Sequence, residues 1–223
     1  MILDRIALSL TRTGMALAML LALLPSAGAA HPHEWIDLSV TLEFDSDKRL
    51  VAMKQSWLFD PYFSAYVVEE LATNRPQRRR VREQAEAIAP DMVSNLSQHN
   101  YLNEWTYRGE PVTGLSGTFV AAEVRRKRME LTLRLTLSEP LDLSQGEFSY
   151  RVFDPTYYIE ILHADGHRPR LKGGPRGCQT TITAPEPTQE LLDYAADIDR
   201  DENPEDGLGQ HFAERVTVEC SDE

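Results

Sequence analysis

Cysteine is almost absent from this 223-residue chain: Cys178 and Cys220 are the only two. They lie far apart, and neither has a second cysteine or a histidine at ligand spacing. The pair therefore reads as one disulfide in an oxidising compartment rather than as a thiolate metal centre. A bridge closing such a loop is worth about 4 kcal/mol in the chain-entropy picture. There is no Gly-x-Ser-x-Gly turn and no His-Glu-x-x-His helix, so the common hydrolase and zinc-peptidase signatures are missing. Past the first thirty positions there is no second long apolar run, which excludes a permease. Regular strand–helix alternation is missing too, and the chain is short for a two-lobed binding protein. Positive charge is in deficit: the net charge of −12 argues against nucleic acid and against an anionic membrane surface as partners, and it favours cations. The runs Arg78-Arg79-Arg80 and Arg125-Arg126-Lys127-Arg128 are the exceptions, and they read as solvated faces.

What is present begins with a leader. Arg5 and Arg12 form a basic region, Met15 to Leu24 is apolar, Pro25 breaks the run, and Ser26-Ala27-Gly28-Ala29-Ala30 supplies small residues. Together these make a secretory signal peptide over residues 1–30, too short in its apolar part to be a membrane span. It carries no twin-arginine pair, and no cysteine follows it to accept a lipid. Cleavage after Ala29 or after Ala30 satisfies the small-x-small rule equally. The expected product is a periplasmic protein of about 190 residues, long enough for one large or two small domains.

The mature chain opens with His31-Pro32-His33-Glu34-Trp35. A terminal histidine can chelate a metal through its α-amine and ring nitrogen, and His33 adds a third nitrogen. Pro32 has no backbone N–H, so the deprotonated-amide clamp of a free N-terminus with histidine third is blocked. From Trp35 to Phe44 apolar and polar residues alternate, with Ile36, Leu38, Val40, Leu42 and Phe44 on the core side. Extended backwards, the alternation puts His31, His33 and Trp35 on the other face, pointing the same way.

Further along, Leu50 to Phe59 pairs with the first strand as a hairpin. Helices are predicted from Tyr62 and over Arg78 to Leu96, with Pro90 either interrupting the second or starting a new one. A strand and turn follow over 101–112, then an alternating strand from Met129 to Leu137 and another from Phe148. Asp165-Gly166 reads as a hairpin turn after Tyr157–Ile161. Thr180 to Thr183 reads as a strand, Thr188 to Ile198 as a helix, and a last helix from Gly209 leads into a strand ending at Cys220. The acidic run from Asp197 is not a calcium loop, because Glu202 takes the glycine position and Leu208 the twelfth. Two strands end in Phe-Asp-Pro, at Phe59-Asp60-Pro61 and Phe153-Asp154-Pro155, which suggests two related β-rich halves or a chance match of short strings. The predicted fold is α+β and β-rich, with antiparallel hairpins and a few helices, divided as residues 31–112 and 113–223.

His31-Pro32-His33-Glu34-Trp35-Ile36-Asp37, the Trp57 to Ser64 segment, Phe153 to Tyr158 and the ending Leu208 to Cys220 together resemble an uncharacterised bacterial periplasmic family. Its members are described as periplasmic components of an ABC-type transport system, and some are encoded beside or fused to nickel/cobalt-type permeases. The resemblance covers nearly the whole mature chain. It implies a role in transition-metal handling, with a membrane metal permease as partner.

The residues make a chemical case of their own. Neutral imidazoles suit zinc, nickel, cobalt or copper, and carboxylates such as Glu34, Asp60 and Asp154 can complete or orient a site. The candidate ligands are His31, His33, Asp60 and Asp154, with His99 if the helical segment folds over the first strand. Against this stand an exposed N-terminal arm for the two histidines and plain turn-forming roles for Asp60 and Asp154. His163 and His167, which flank the turn, read as surface residues, and His211, on the last predicted helix, as a surface or packing residue. The expected function is a metal-binding accessory of a transport system, without insertion into the membrane after cleavage. The rival classes are a copper-dependent oxidative enzyme, which the terminal histidine resembles, and a structural or assembly protein of the envelope.

Overall fold

The computed structural model describes residues 32–71, 77–198 and 207–220; the expected signal peptide over residues 1–30 and His31 lie outside this range. The fold is α+β, and the described residues are dominated by eleven strands in two sheets. Strands β1 (Glu34–Phe44) and β2 (Leu50–Phe59) form the expected hairpin, with Leu38 opposite Trp57 and Leu42 opposite Met53. Helices α1 (Pro61–Leu71) and α2 (Gln77–Gln98) follow, then a short 3-10 turn and strands β3 (Asn103–Tyr107) and β4 (Glu110–Pro111). Next come β5 (Ser116–Arg125), β6 (Arg128–Leu141), β7 (Phe148–Val152), β8 (Ile159–His163), β9 (Arg170–Lys172) and β10 (Cys178–Thr183). Helix α3 (Gln189–Asp197) and strand β11 (Arg215–Cys220) close the chain.

The first sheet runs β5-β6-β2-β1-β8, with β9 also paired to β1; the second runs β10-β11-β7-β3-β4. Both sheets draw strands from before and after residue 112. The period-2 alternation explains the core: Ile36, Leu38, Val40 and Leu42 of β1 and Leu131, Leu133 and Leu135 of β6 are buried. They form one apolar cluster with Trp105, Phe148, Tyr150, Val216 and Val218 of the second sheet. A second, smaller cluster of Tyr157, Ala195, Ile198, Leu208 and Phe212 packs α3 against the loop after β7.

Inside the main core sits a chain of polar groups. Gln55 and Asn103 are buried, and the Gln55 Nε2–H donates to Asn103 Oδ1 at 2.6 Å. The indole of Trp57 donates to Gln55 Oε1 and that of Trp105 to Asn103 Oδ1, each at 3.0 Å. The Asn103 amide also donates to the carbonyl of Tyr101. The two tryptophans can be buried because the two amides receive their N–H groups.

Three sequence-based expectations change. The Asp165-Gly166 turn exists, but β8 and β9 on either side of it both run parallel to β1, so it is not a hairpin. The ladder is broken there, and the Val40 amide donates to His167 Nε2 at 3.0 Å in place of a backbone acceptor. Pro90 lies inside a continuous α2. Ala85, Ala89, Met92, Val93 and Leu96 pack inward on both sides of it, so tertiary contacts hold the helix through the missing N–H. The helix expected from Gly209 is only a 3-10 turn, Leu208–His211. The cysteines form the expected disulfide, joining Cys178 of β10 to its direct partner Cys220 of β11.

Candidate functional site

The start of β1 meets the ends of two strands from different sheets. Asp60 follows β2 in the first sheet and Asp154 follows β7 in the second. Asp60 is buried at the N-terminus of α1, where its Oδ1 accepts the amides of Tyr62 at 2.7 Å and Phe63 at 3.1 Å. With Pro61 at the first helical position this is an N-cap, which explains why the helix begins there. The Asp60 amide in turn donates to the carbonyl of Trp35 at 2.9 Å, tying the cap to β1.

Asp154 organises a different turn. Its carboxylate accepts the Thr156 amide at 3.0 Å and the Ile159 amide at 3.1 Å, and the Thr156 hydroxyl donates to it as well. The turn leads into β8, whose first residue lies beside Glu34. Its outer side is held by the loop before β11: the amides of Gly207 and Gly209 both donate to the Pro155 carbonyl at 3.1 Å. Gly209 lies so close to the Asp154 carbonyl that a Cβ would collide with it. Tyr157 stacks on Phe212 with ring centres 3.9 Å apart, and its hydroxyl donates to Glu160 at 3.1 Å.

Between these two turns stands Glu34. Burial, and then the charges of Asp60 and Asp154, push its carboxyl above the ordinary range. Glu34, Asp60 and His33 line an open cleft of about 410 Å³ together with Trp35, Tyr62, Phe63, Tyr66 and Tyr158. The His33 amide donates to the Tyr158 carbonyl at 2.9 Å, and the two rings lie 5.0 Å apart. The rim is aromatic and open to solvent, with Tyr62 87%, Tyr66 65% and Trp35 46% exposed.

Of the candidate ligands, His33 and Asp60 thus share one cleft, and Asp154 is close enough to act on Glu34 through its charge. His31 lies outside the described residues. His99 is placed elsewhere: α2 packs over β5, and His99 lines a separate depression with Asp91, Met92, Asn95 and Leu96. Among the described residues no three histidine, cysteine, aspartate or glutamate side chains converge tightly enough to hold a metal ion. Also among them, no helix is long and apolar enough to cross a membrane.

Reading the histidines from sequence missed one arrangement. The His163 side chain is 4% exposed, not a surface group. Its Nδ1 lies 2.7 Å from Glu214 Oε2, which also accepts the His163 amide, and its Nε2 lies 3.1 Å from the Tyr150 hydroxyl. Burial works against the charge on Glu214, but these hydrogen bonds and the nearby imidazole outweigh it and hold its carboxyl below the usual range. No local sequence signal marks this link, because its three members come from β8, β7 and the residue before β11.

The family model described as a protein of unknown function, DUF1007, matches residues 16–220. The chain belongs to the DUF1007 family. An uncharacterized protein of Haemophilus influenzae is 23% identical over 213 residues, covering 91% of this chain and 98% of that protein. No solved structure matches the chain. The DUF1007 match contains β1, both Asp-Pro turns and the whole rim of the cleft.

Proposed function

We propose that this DUF1007 protein is a periplasmic accessory that binds a divalent transition metal ion, zinc, nickel, cobalt or copper, and serves a membrane metal permease. The observation that carries this reading is the grouping of His33 with Glu34 and Asp60 in one cleft, with Asp154 adding charge to Glu34. Like charges gathered around a half-buried glutamate are costly without a cation, and a divalent ion would relieve that cost. The described donors, one imidazole and carboxylates, fall short of a closed coordination shell. His31, next to His33 in sequence and at or beside the N-terminus after cleavage, would supply the missing nitrogens. Exposed placement of the cleft suits an ion that is taken up and released rather than held as a structural centre. The signal peptide, the disulfide and the resemblance to permease-linked proteins support the location and the partner.

The test is calorimetric titration of the mature, tag-free protein with each of the four ions, after mass spectrometry has fixed the N-terminus. His33→Ala and Glu34→Gln are expected to weaken binding by at least tenfold, while His99→Ala leaves it unchanged. Binding that is absent for all four ions, or indifferent to both cleft substitutions, would refute the proposal.

A further inference from the structure

The two basic runs that stand out against the acidic composition are far apart in sequence, but the fold brings them to one end of the molecule. Arg125-Arg126-Lys127-Arg128 is the tip of the β5–β6 hairpin, with Arg125 paired to Arg128 in register. Arg78, Arg79 and Arg80 are in the first turn of α2, which packs along β5. The direction of α2 is fixed at both ends. Arg82 lies within electrostatic reach of Glu123 near the tip, while the Tyr101 ring, just past the end of α2, covers Gly117 at the start of β5. The first turn of α2 therefore lies at the hairpin end.

That end also carries the aromatic rim. Arg128 donates to the carbonyls of Leu58 and Phe59 and pairs with Asp37 at 2.6 Å, so the tip adjoins the start of α1. The Met129 amide donates to the Ser64 hydroxyl of α1 at 2.9 Å. Tyr62, Tyr66 and Trp35, the exposed aromatics of the cleft, are thus on the same pole as the cations.

Several of the cations are already answered: Arg82 by Glu86, Arg125 by Glu130 and Arg128 by Asp37. Arg126 and Lys127 are exposed and take part in none of the ion pairs among the described residues. Both have positive φ, 51° and 69°, in a two-residue turn where asparagine and glycine are the favoured occupants. That placement does not serve the fold.

We infer that this pole is a docking surface for an anionic phospholipid bilayer, which it meets with Arg126 and Lys127 while Tyr62, Tyr66 and Trp35 enter the headgroup layer. Solvent-exposed tyrosine and tryptophan beside clustered arginine and lysine is the chemistry of a membrane interface. The net charge of −12 does not prevent this, because charges beyond roughly 8 Å are screened at physiological ionic strength. The carboxylates of the cleft are withdrawn, Asp60 being buried and Glu34 half-buried. Docking is peripheral, without a span, and it turns the mouth of the cleft toward the bilayer.

The experiment is co-sedimentation of the mature protein, held metal-free with EDTA, with vesicles of phosphatidylethanolamine and phosphatidylglycerol and with neutral phosphatidylcholine vesicles. EDTA keeps the result independent of whether the cleft binds metal. The anionic vesicles are expected to bind at low salt and to release the protein at 0.5 M salt. Arg126→Asn/Lys127→Gly removes two cations while suiting the turn, so it stays folded, and it is expected to weaken binding by ~10- to 30-fold. Tyr62→Ser/Tyr66→Ser is expected to weaken it at least fivefold. No binding to anionic vesicles, equal binding to neutral ones, or indifference to both double variants would overturn the inference. So would vesicle-free binding to polyglutamate with no vesicle binding, which would assign the pole to an acidic protein instead.

Discussion

Gln55 and Asn103 meet amide to amide at 2.6 Å in the middle of the core, one from each sheet. Each also takes the indole N–H of a buried tryptophan, so the pair sets how the two sheets face one another. Gln55→Leu is expected to cost about 2–4 kcal/mol, because it orphans the Trp57 N–H and removes a partner of Asn103. Combined with Asn103→Leu the costs should fall short of the sum by about 1 kcal/mol, the signature of direct coupling. Urea unfolding followed by tryptophan fluorescence measures both.

Glu214 carries a pH dependence. Its carboxyl titrates below the ordinary range in the folded chain, so the native state binds fewer protons than the unfolded one around that range. The stability it contributes is complete above the unfolded value of about 4.5 and is lost as pH falls through the lower folded value. Glu214→Ala is expected to cost about 1.5–3 kcal/mol at pH 7 and to flatten the stability profile below pH 5. Thermal melts from pH 3 to 7 would show it; a profile with unchanged slope would remove the role assigned to this carboxylate.

Glu34 has the opposite sign. Its carboxyl titrates above the ordinary range, so the folded chain binds the extra proton and stability falls as pH rises through that range. In the metal-free protein Glu34→Gln is therefore expected to stabilise at pH 7 by no more than about 1 kcal/mol, and to have no effect near pH 3. Melts with EDTA at both pH values are the check.

Gly209 is placed where no side chain fits, against the Asp154 carbonyl. Gly209→Ala must displace the turn that carries Asp154 toward Glu34, at a cost of about 2–3 kcal/mol. It should also weaken metal binding at a cleft it does not line. Calorimetry at a temperature where the variant is still folded separates the two effects.

Arg126→Asn/Lys127→Gly is expected to raise stability by about 1 kcal/mol, since both positions have positive φ and the new residues accept it. A fall in Tm would mean that the cations contribute to folding.

Legibility from sequence followed locality. The β1–β2 hairpin, the alternation of β6 and the disulfide were plain, because each rests on period-2 patterning or on counting two cysteines. What was hidden is what the chain assembles from a distance. The parallel course of β8 and β9 along β1 has no signature within residues 159–172, where a turn sequence reads as a hairpin. The opening motif was visible as a cluster of histidines, yet the reason Glu34 matters lies in Asp60 and Asp154, delivered by different sheets. His163 looked like a turn residue because its partners, Tyr150 and Glu214, are remote. The two arginine runs looked like separate solvated faces until the direction of α2 along β5 put them together.

Strand β11 is the last described element, yet it lies in the interior of its sheet, between β10 and β7. Strand β10 is joined to β7 only through β11, so without Arg215–Cys220 the second sheet would fall into two pieces that share no strand pairing. The disulfide fastens the same strand pair, so the piece that completes the sheet is also the piece held covalently to its edge strand.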